Sequence, residues 1–183
     1  MDSTDLVQLE RRARVRYEFV RARRALLGIA PVLLIVAVAA CLADRPASTL
    51  WFGFATFAVG AVMLWHGKDP QRAVLPGIAA GLVPLALSLC ANHIHDCGTE
   101  SCASLCLPAC TLGGVVAGLT VASVGSQRRA GVWFWLSASG LALLTGSMGC
   151  SCVGYSGIIG LGVGYAAGAV PGLLRRALTR DAP

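Results

Sequence analysis

The stretch HIHDCGTESCASLCLPAC, residues 93–110, holds two histidines, an aspartate, a glutamate and four cysteines. Such a set can bind a soft or borderline ion such as zinc, copper or mercury through thiolate sulfur and imidazole nitrogen. In an oxidising compartment the same cysteines would instead close disulfides. His93 and His95 alternate around Ile94 and can converge with Cys97 and Cys102 on an ion. Cys102, Cys106 and Cys110 recur every four residues, so on a helix they form one stripe. Pro108 fits that helix in its first turn, which puts the start near Leu105. The spacings lack the paired Cys-x2-Cys units of familiar zinc sites. A second group, Cys150 and Cys152 in GCSCVGYSG, is a short pair able to chelate or to exchange disulfides. Cys41 and Cys90 complete the eight cysteines of the chain.

What must position these residues is a membrane. The 183-residue chain is 56% hydrophobic and only 13% charged, about half the charge of an ordinary soluble domain. Its charges gather in short stretches between six apolar runs: Ala25–Ala43, Leu50–Trp65, Ala73–Ala91, Leu105–Val124, Val132–Met148 and Gly157–Leu174. No Asp, Glu, Lys or Arg lies inside any of them. Runs of about twenty apolar residues span a bilayer, and only helices or closed barrels satisfy the backbone there. The expected fold is therefore all-α: an integral membrane bundle of six transmembrane helices. A basic amphipathic arm (1–24) precedes the bundle (25–174), and a basic tail (175–183) follows it.

The basic residues orient the bundle. With the N-terminus inside, every Lys and Arg except Arg45 falls in an inner segment, as the positive-inside rule requires. Both termini are then cytoplasmic. The same distribution accounts for the formal charge of +6 without direct nucleic-acid binding. VAAC at Cys41 resembles a lipoprotein processing site, but the basic region before it is long and the apolar run suffices to span, so an uncleaved anchor is expected.

In this topology all eight cysteines reach the outer face. Disulfides between residues 93–110 and Cys150 or Cys152 would staple the outer ends of the fourth to sixth helices, each contributing about 2–4 kcal/mol. Pairing is undetermined, since eight cysteines allow on the order of a hundred connectivities. Metal or redox sensing is the other reading, and one labile bond would reconcile the two.

Small residues at four-residue spacing let membrane helices approach closely. Gly160, Gly164 and Gly168 read as a packing face, and Gly114 and Gly118 share that spacing. Gly77 and Gly81 read as no more than the usual abundance of glycine in membrane helices. Trp51, Trp65, Trp133 and Trp135 lie near span boundaries, where aromatic rings anchor helices, and His66 reads as interfacial. The spans carry none of the mid-membrane ionisable groups that ion-coupled pumps use. The chain shows no nucleophile–base pair, phosphate-cradling loop or paired carboxylates, and no Cys-x2-Cys for quinone-linked thiol oxidation. An enzyme is not expected.

The arm offers the one sizeable inner surface. Ser3 or Thr4 can cap a helix whose Leu6, Leu9, Ala13, Tyr17 and Val20 share a stripe among seven arginines. It reads either as a lipid-tethered extension of the first span or as a docking helix for a cytosolic, acidic partner.

SLCLPAC followed by TLGGVVAGLTV, a basic turn and LALLTGSMGCSC resembles, across about residues 73–174, the six-helix membrane anti-sigma factors that restrain extracytoplasmic-function sigma factors in proteobacteria. The resemblance implies a bacterial inner-membrane protein whose Cys-rich loops are periplasmic. It implies a cytoplasmic arm that holds a sigma factor, here through Leu6, Leu9, Arg12, Arg16 and Tyr17. It also implies outer cysteines tied to release under metal or oxidative stress, at Cys106 or Cys110 and at Cys150 or Cys152. This chain departs from the pattern in its extra cysteines, Cys90, Cys97 and Cys102 among them, and in its arginine-rich arm. Two other readings fit parts of the chain. A soft-metal transporter would use His93, His95, Cys97 and Cys102, but needs thiols deeper along a path. A structural subunit or helix–helix oligomer would use only the glycine faces.

Overall fold

The computed structural model of the protein describes residues 3–43, 46–94, 101–127, 130–151 and 154–180. Among them lie six helices: α1 (Ser3–Leu42), α2 (Pro46–His66), α3 (Lys68–Ile94), α4 (Ser101–Gln127), α5 (Val132–Cys150) and α6 (Tyr155–Arg180). All six are long and apolar enough to cross a membrane. The shortest span, α5 with 19 residues, rises about 28 Å at 1.5 Å per residue, close to the roughly 30 Å hydrocarbon core. The protein is an all-α, multi-pass membrane protein, and the described residues form no strand.

Each apolar run falls on its own helix, with informative shifts at the ends. The two short runs grow into full spans, α2 starting at Pro46 and α5 reaching Cys150. A proline suits the first helical position because the missing N–H has no partner there in any case. The arm and first span form one unbroken helix of 40 residues. Arginines are good helix formers, and Pro31 interrupts only a single backbone bond inside α1. The expected start of α4 near Leu105 is not observed: the helix begins at Ser101 and carries Pro108 in its interior. The Thr111 hydroxyl, one turn on, donates toward the Leu107 and Pro108 carbonyls, 2.9 Å away in each case. Such side-chain bonds help membrane helices tolerate proline.

Two helix pairs pack most closely, α4 with α6 and α3 with α5. Between α4 and α6 the glycines interlock. A Cβ on Gly114 would lie 2.5 Å from the Leu161 carbonyl oxygen, and one on Gly118 would meet the Tyr165 carbonyl. From the other side, Gly164 and Gly168 meet the Thr111 and Val115 carbonyls. The packing face expected on the sixth helix is therefore present, and α4 is its partner.

Gly77 and Gly81 also pack, contrary to their reading as incidental. Added Cβ atoms there would lie 2.8 Å from the Ala138 carbonyl oxygen and 2.6 Å from that of Ala142. The backbone of α3 thus rests on α5 as that of α6 rests on α4. Between the two pairs, Gly113 of α4 receives Pro84 of α3, whose Cα would stand 2.6 Å from an added Cβ. On the far side of α5, α2 packs against it and α1 packs chiefly on α2. Ile29, Val32 and Val36 of α1 are buried there, and Gly53 and Gly60 of α2 admit Val36 and Ile29. The helix that carries the arm is a peripheral one.

Trp135 departs from its expected role as an anchor. Its ring is buried and lies over Gly125, where a Cβ would be 2.6 Å from the indole Cζ2. Trp51, Trp65 and Trp133 are exposed, as rings facing lipid or interface would be.

Candidate functional site

The alternating helices give the bundle two chemically distinct ends. One carries the arm of α1, the α2–α3 turn and the end of α4. The other carries Cys41, Cys90, the start of α4 and the end of α5. At this second end Cys110 of α4 and Cys150 of α5 meet. Both are wholly buried, they join one apolar cluster with Leu161 of α6, and their side chains share a hydrogen bond. Cys106 lies one turn before Cys110 and is also buried, consistent with the stripe read from the four-residue spacing.

Local sequence explains why Cys150 is held so firmly. It is the last residue of α5, and Gly149 before it has room for no side chain, because a Cβ would run into the Ser88 hydroxyl and Leu85 of α3. The chain then turns toward α6 through Gly154, whose φ of 77° favours glycine. The Gly154 N–H donates to the Ser151 carbonyl at 3.1 Å. Beside Cys150, the Met148 carbonyl accepts from the Thr49 hydroxyl at 3.1 Å and the Ser151 hydroxyl at 3.2 Å. Ser48 and Ser151 also share a hydrogen bond of 3.2 Å. The end of α5 is thus tied to α2 by hydroxyls and to α4 by thiols.

Sequence reasoning did not single out Ser48, Thr49 or Ser151. Hydroxyl residues near a span boundary carry no sign of a partner about a hundred residues away in the chain. The signal available was their number in an otherwise apolar setting.

The remaining candidates are dispersed. Cys90 is exposed near the end of α3, and Cys41 is exposed near the end of α1. His95, Cys97 and Cys152 lie outside the described residues. His93 and Cys102 lie on α3 and α4, but their side chains are outside the described set, so the His93, His95, Cys97 and Cys102 metal set has no described geometry. Among the described residues, no three His, Cys, Asp or Glu side chains gather as a metal site requires. On the arm, Arg12, Arg16 and Tyr17 are exposed, and Leu6 and Leu9 are helical with side chains outside the described set. Val15 and Phe19 are exposed beside them, 62% and 69% accessible.

Chemically, two apposed thiols form a reversible covalent link. Oxidation would join the sulfurs, release two protons and pass two electrons to an external oxidant such as a disulfide or a peroxide. A thiophilic metal would bind the same two sulfurs after they lose their protons. Comparison of the chain with protein-family models, curated proteins and solved structures gives no match.

Proposed function

We propose that the protein is a membrane-embedded signalling regulator of the bacterial inner membrane. Its N-terminal arm holds a cytosolic sigma factor, and its periplasmic cysteines respond to oxidants or thiophilic metals. The observation that carries this reading is the buried, hydrogen-bonded pair of Cys110 and Cys150, which joins α4 to α5 at the cysteine end. Its two positions are among those the anti-sigma resemblance implies. The continuous α1 adds support, because the arm and the first turns of the span, up to Pro31, form one helix that carries a tilt or shift of the span to the arm. The arm's exposed Tyr17, Arg12 and Arg16, together with Val15 and Phe19, give a partner apolar and charged groups on one helix. Signalling by this route requires two bundle arrangements that thiol chemistry biases.

The test is recovery of cytosolic partners with the full-length protein in mild detergent, before and after treatment of cells with a thiol oxidant. A chain lacking residues 1–20 and the C110S/C150S variant are compared alongside. The reading expects a sigma factor that is lost with the arm, released by oxidant from the wild type and retained under oxidant by the double variant. Recovery independent of the arm, or equal release from the double variant, sinks it.

A further inference from the structure

The basic end holds a cleft at the root of the arm, which shares Tyr17 with the partner-binding face and is otherwise lined by residues that face does not use. Tyr17, Arg21 and Arg24 of α1 face Leu64 of α2, Gly67 of the connecting turn and Gln71 of α3 across a space of about 310 Å3. That is at the small end of ordinary ligand pockets. Residues 17, 21 and 24 share one face of α1, being four and three apart, so the cleft follows directly from the seating of α1 on α2.

Three observations define its chemistry. First, it is positive: among the described residues two guanidiniums line it and no acidic side chain does. Second, one guanidinium is set in place. Half-buried Arg21 donates from Nη2 to the His66 carbonyl at 3.0 Å, which fixes the fork and leaves its other N–H groups to donate. Gly67 keeps the space open. Its φ of 68° suits glycine, its N–H closes α2 on the Met63 carbonyl, and a Cβ there would stand 3.4 Å from Arg21 Nη2. Third, the depth is that of a membrane surface. Ala25, buried at the cleft floor, begins the first apolar run, and every arginine of the arm precedes it.

We propose that this cleft binds a net-anionic phosphate headgroup. Arg21 and Arg24 hold the phosphate oxygens, and the Tyr17 hydroxyl and Gln71 amide contact the rest. Guanidinium forks match phosphate geometry in paired hydrogen bonds. Two of them, with no carboxylate among the described lining residues, disfavour a headgroup carrying its own cation. Occupancy ties α1 to the α2–α3 turn at the point where the arm leaves the bundle.

Native mass spectrometry of the full chain in detergent tests this, with phosphatidylglycerol and phosphatidylcholine titrated separately. Three variants are compared: R21Q/R24Q, R24Q alone and Q71L. R14Q/R23Q removes the same charge from the same helix outside the cleft. Wild type and R14Q/R23Q should retain phosphatidylglycerol over phosphatidylcholine, and R21Q/R24Q should bind it about tenfold more weakly or worse, the scale expected for losing charge-assisted hydrogen bonds. R24Q keeps the Arg21 bond to His66, so its weakening separates ligand binding from loosening of the turn. Competition by sn-glycerol 3-phosphate would place the phosphate's source in solution, and competition by lipid alone would place it in the bilayer. Equal binding by R21Q/R24Q and R14Q/R23Q, or equal retention of phosphatidylcholine, overturns the proposal.

Discussion

Gly168 of α6 rests on the carbonyl oxygen of Val115 in α4, with no room for even a methyl group between the helices. The same relation repeats one turn earlier between Gly164 and Thr111, and it is returned by Gly114 and Gly118. An added Cβ at these positions meets backbone, which cannot swing aside as a side chain can. G164A and G168A should each destabilise the bundle by about 1–3 kcal/mol, the usual cost of overpacking. G162A, on the same helix with nothing within 4 Å, should be neutral or slightly stabilising, since alanine is the better helix former. Denaturant unfolding in detergent, followed by near-ultraviolet circular dichroism, checks the contrast.

A second expectation concerns α3. G81A would press on the Ala142 carbonyl and on Thr145 and should cost as much as G168A. If Gly77 and Gly81 were incidental, alanine at both would be tolerated, and the same unfolding measurement decides.

The hydroxyls of two buried threonines should respond oppositely to removal. Thr49 donates to the Met148 carbonyl, so T49V should lose about 1 kcal/mol, the net worth of a typical hydrogen bond. Thr145 is equally buried, but its hydroxyl has no hydrogen-bond partner among the described residues. Replacing an unsatisfied buried hydroxyl with a methyl of similar shape recovers its desolvation penalty. T145V should therefore be neutral or up to about 1 kcal/mol more stable.

Thiol accessibility should sort the cysteines by burial. In detergent, Cys41 and Cys90 should label rapidly with a small maleimide, while Cys106, Cys110 and Cys150 should label far more slowly as long as the bundle is folded. Catalysed oxidation should link Cys110 to Cys150, giving a faster-migrating species on non-reducing gels that vanishes in C110S and in C150S. Its persistence in either variant would show that another pair had formed.

How much of this was legible in the sequence differs by scale. The six spans were, because the length of an apolar run is a local property that the bilayer reads directly. The gathering of the described cysteines at one end also was, since it follows from the alternation of spans. The meeting of Cys110 with Cys150 was not: it depends on how α4 and α5 pack, and spacing along a chain says nothing about rotation of one helix against another. Gly77 and Gly81 were misread for a related reason. A glycine that faces lipid and a glycine pressed on a neighbour look alike in sequence, and only the carbonyls of Ala138 and Ala142 distinguish them. Nearness to a span end does not place Trp135, because Gly125 across the basic turn provides a seat for its ring. Pro108 alone points to a helix start near Leu105, whereas α4 begins at Ser101 because the Thr111 hydroxyl serves the carbonyls beside the proline.

The interlocked α4–α6 face also bears on the order of synthesis. The glycines of α4 are made well before those of α6, with all of α5 between them. Until α6 leaves the ribosome, Gly114 and Gly118 have no partner helix to cover them. Meanwhile α3 and α5 can already pair through Gly77 and Gly81. The nascent chain can therefore seat α4 on α3, and α3 on α5, before α6 arrives to cover the glycine face of α4.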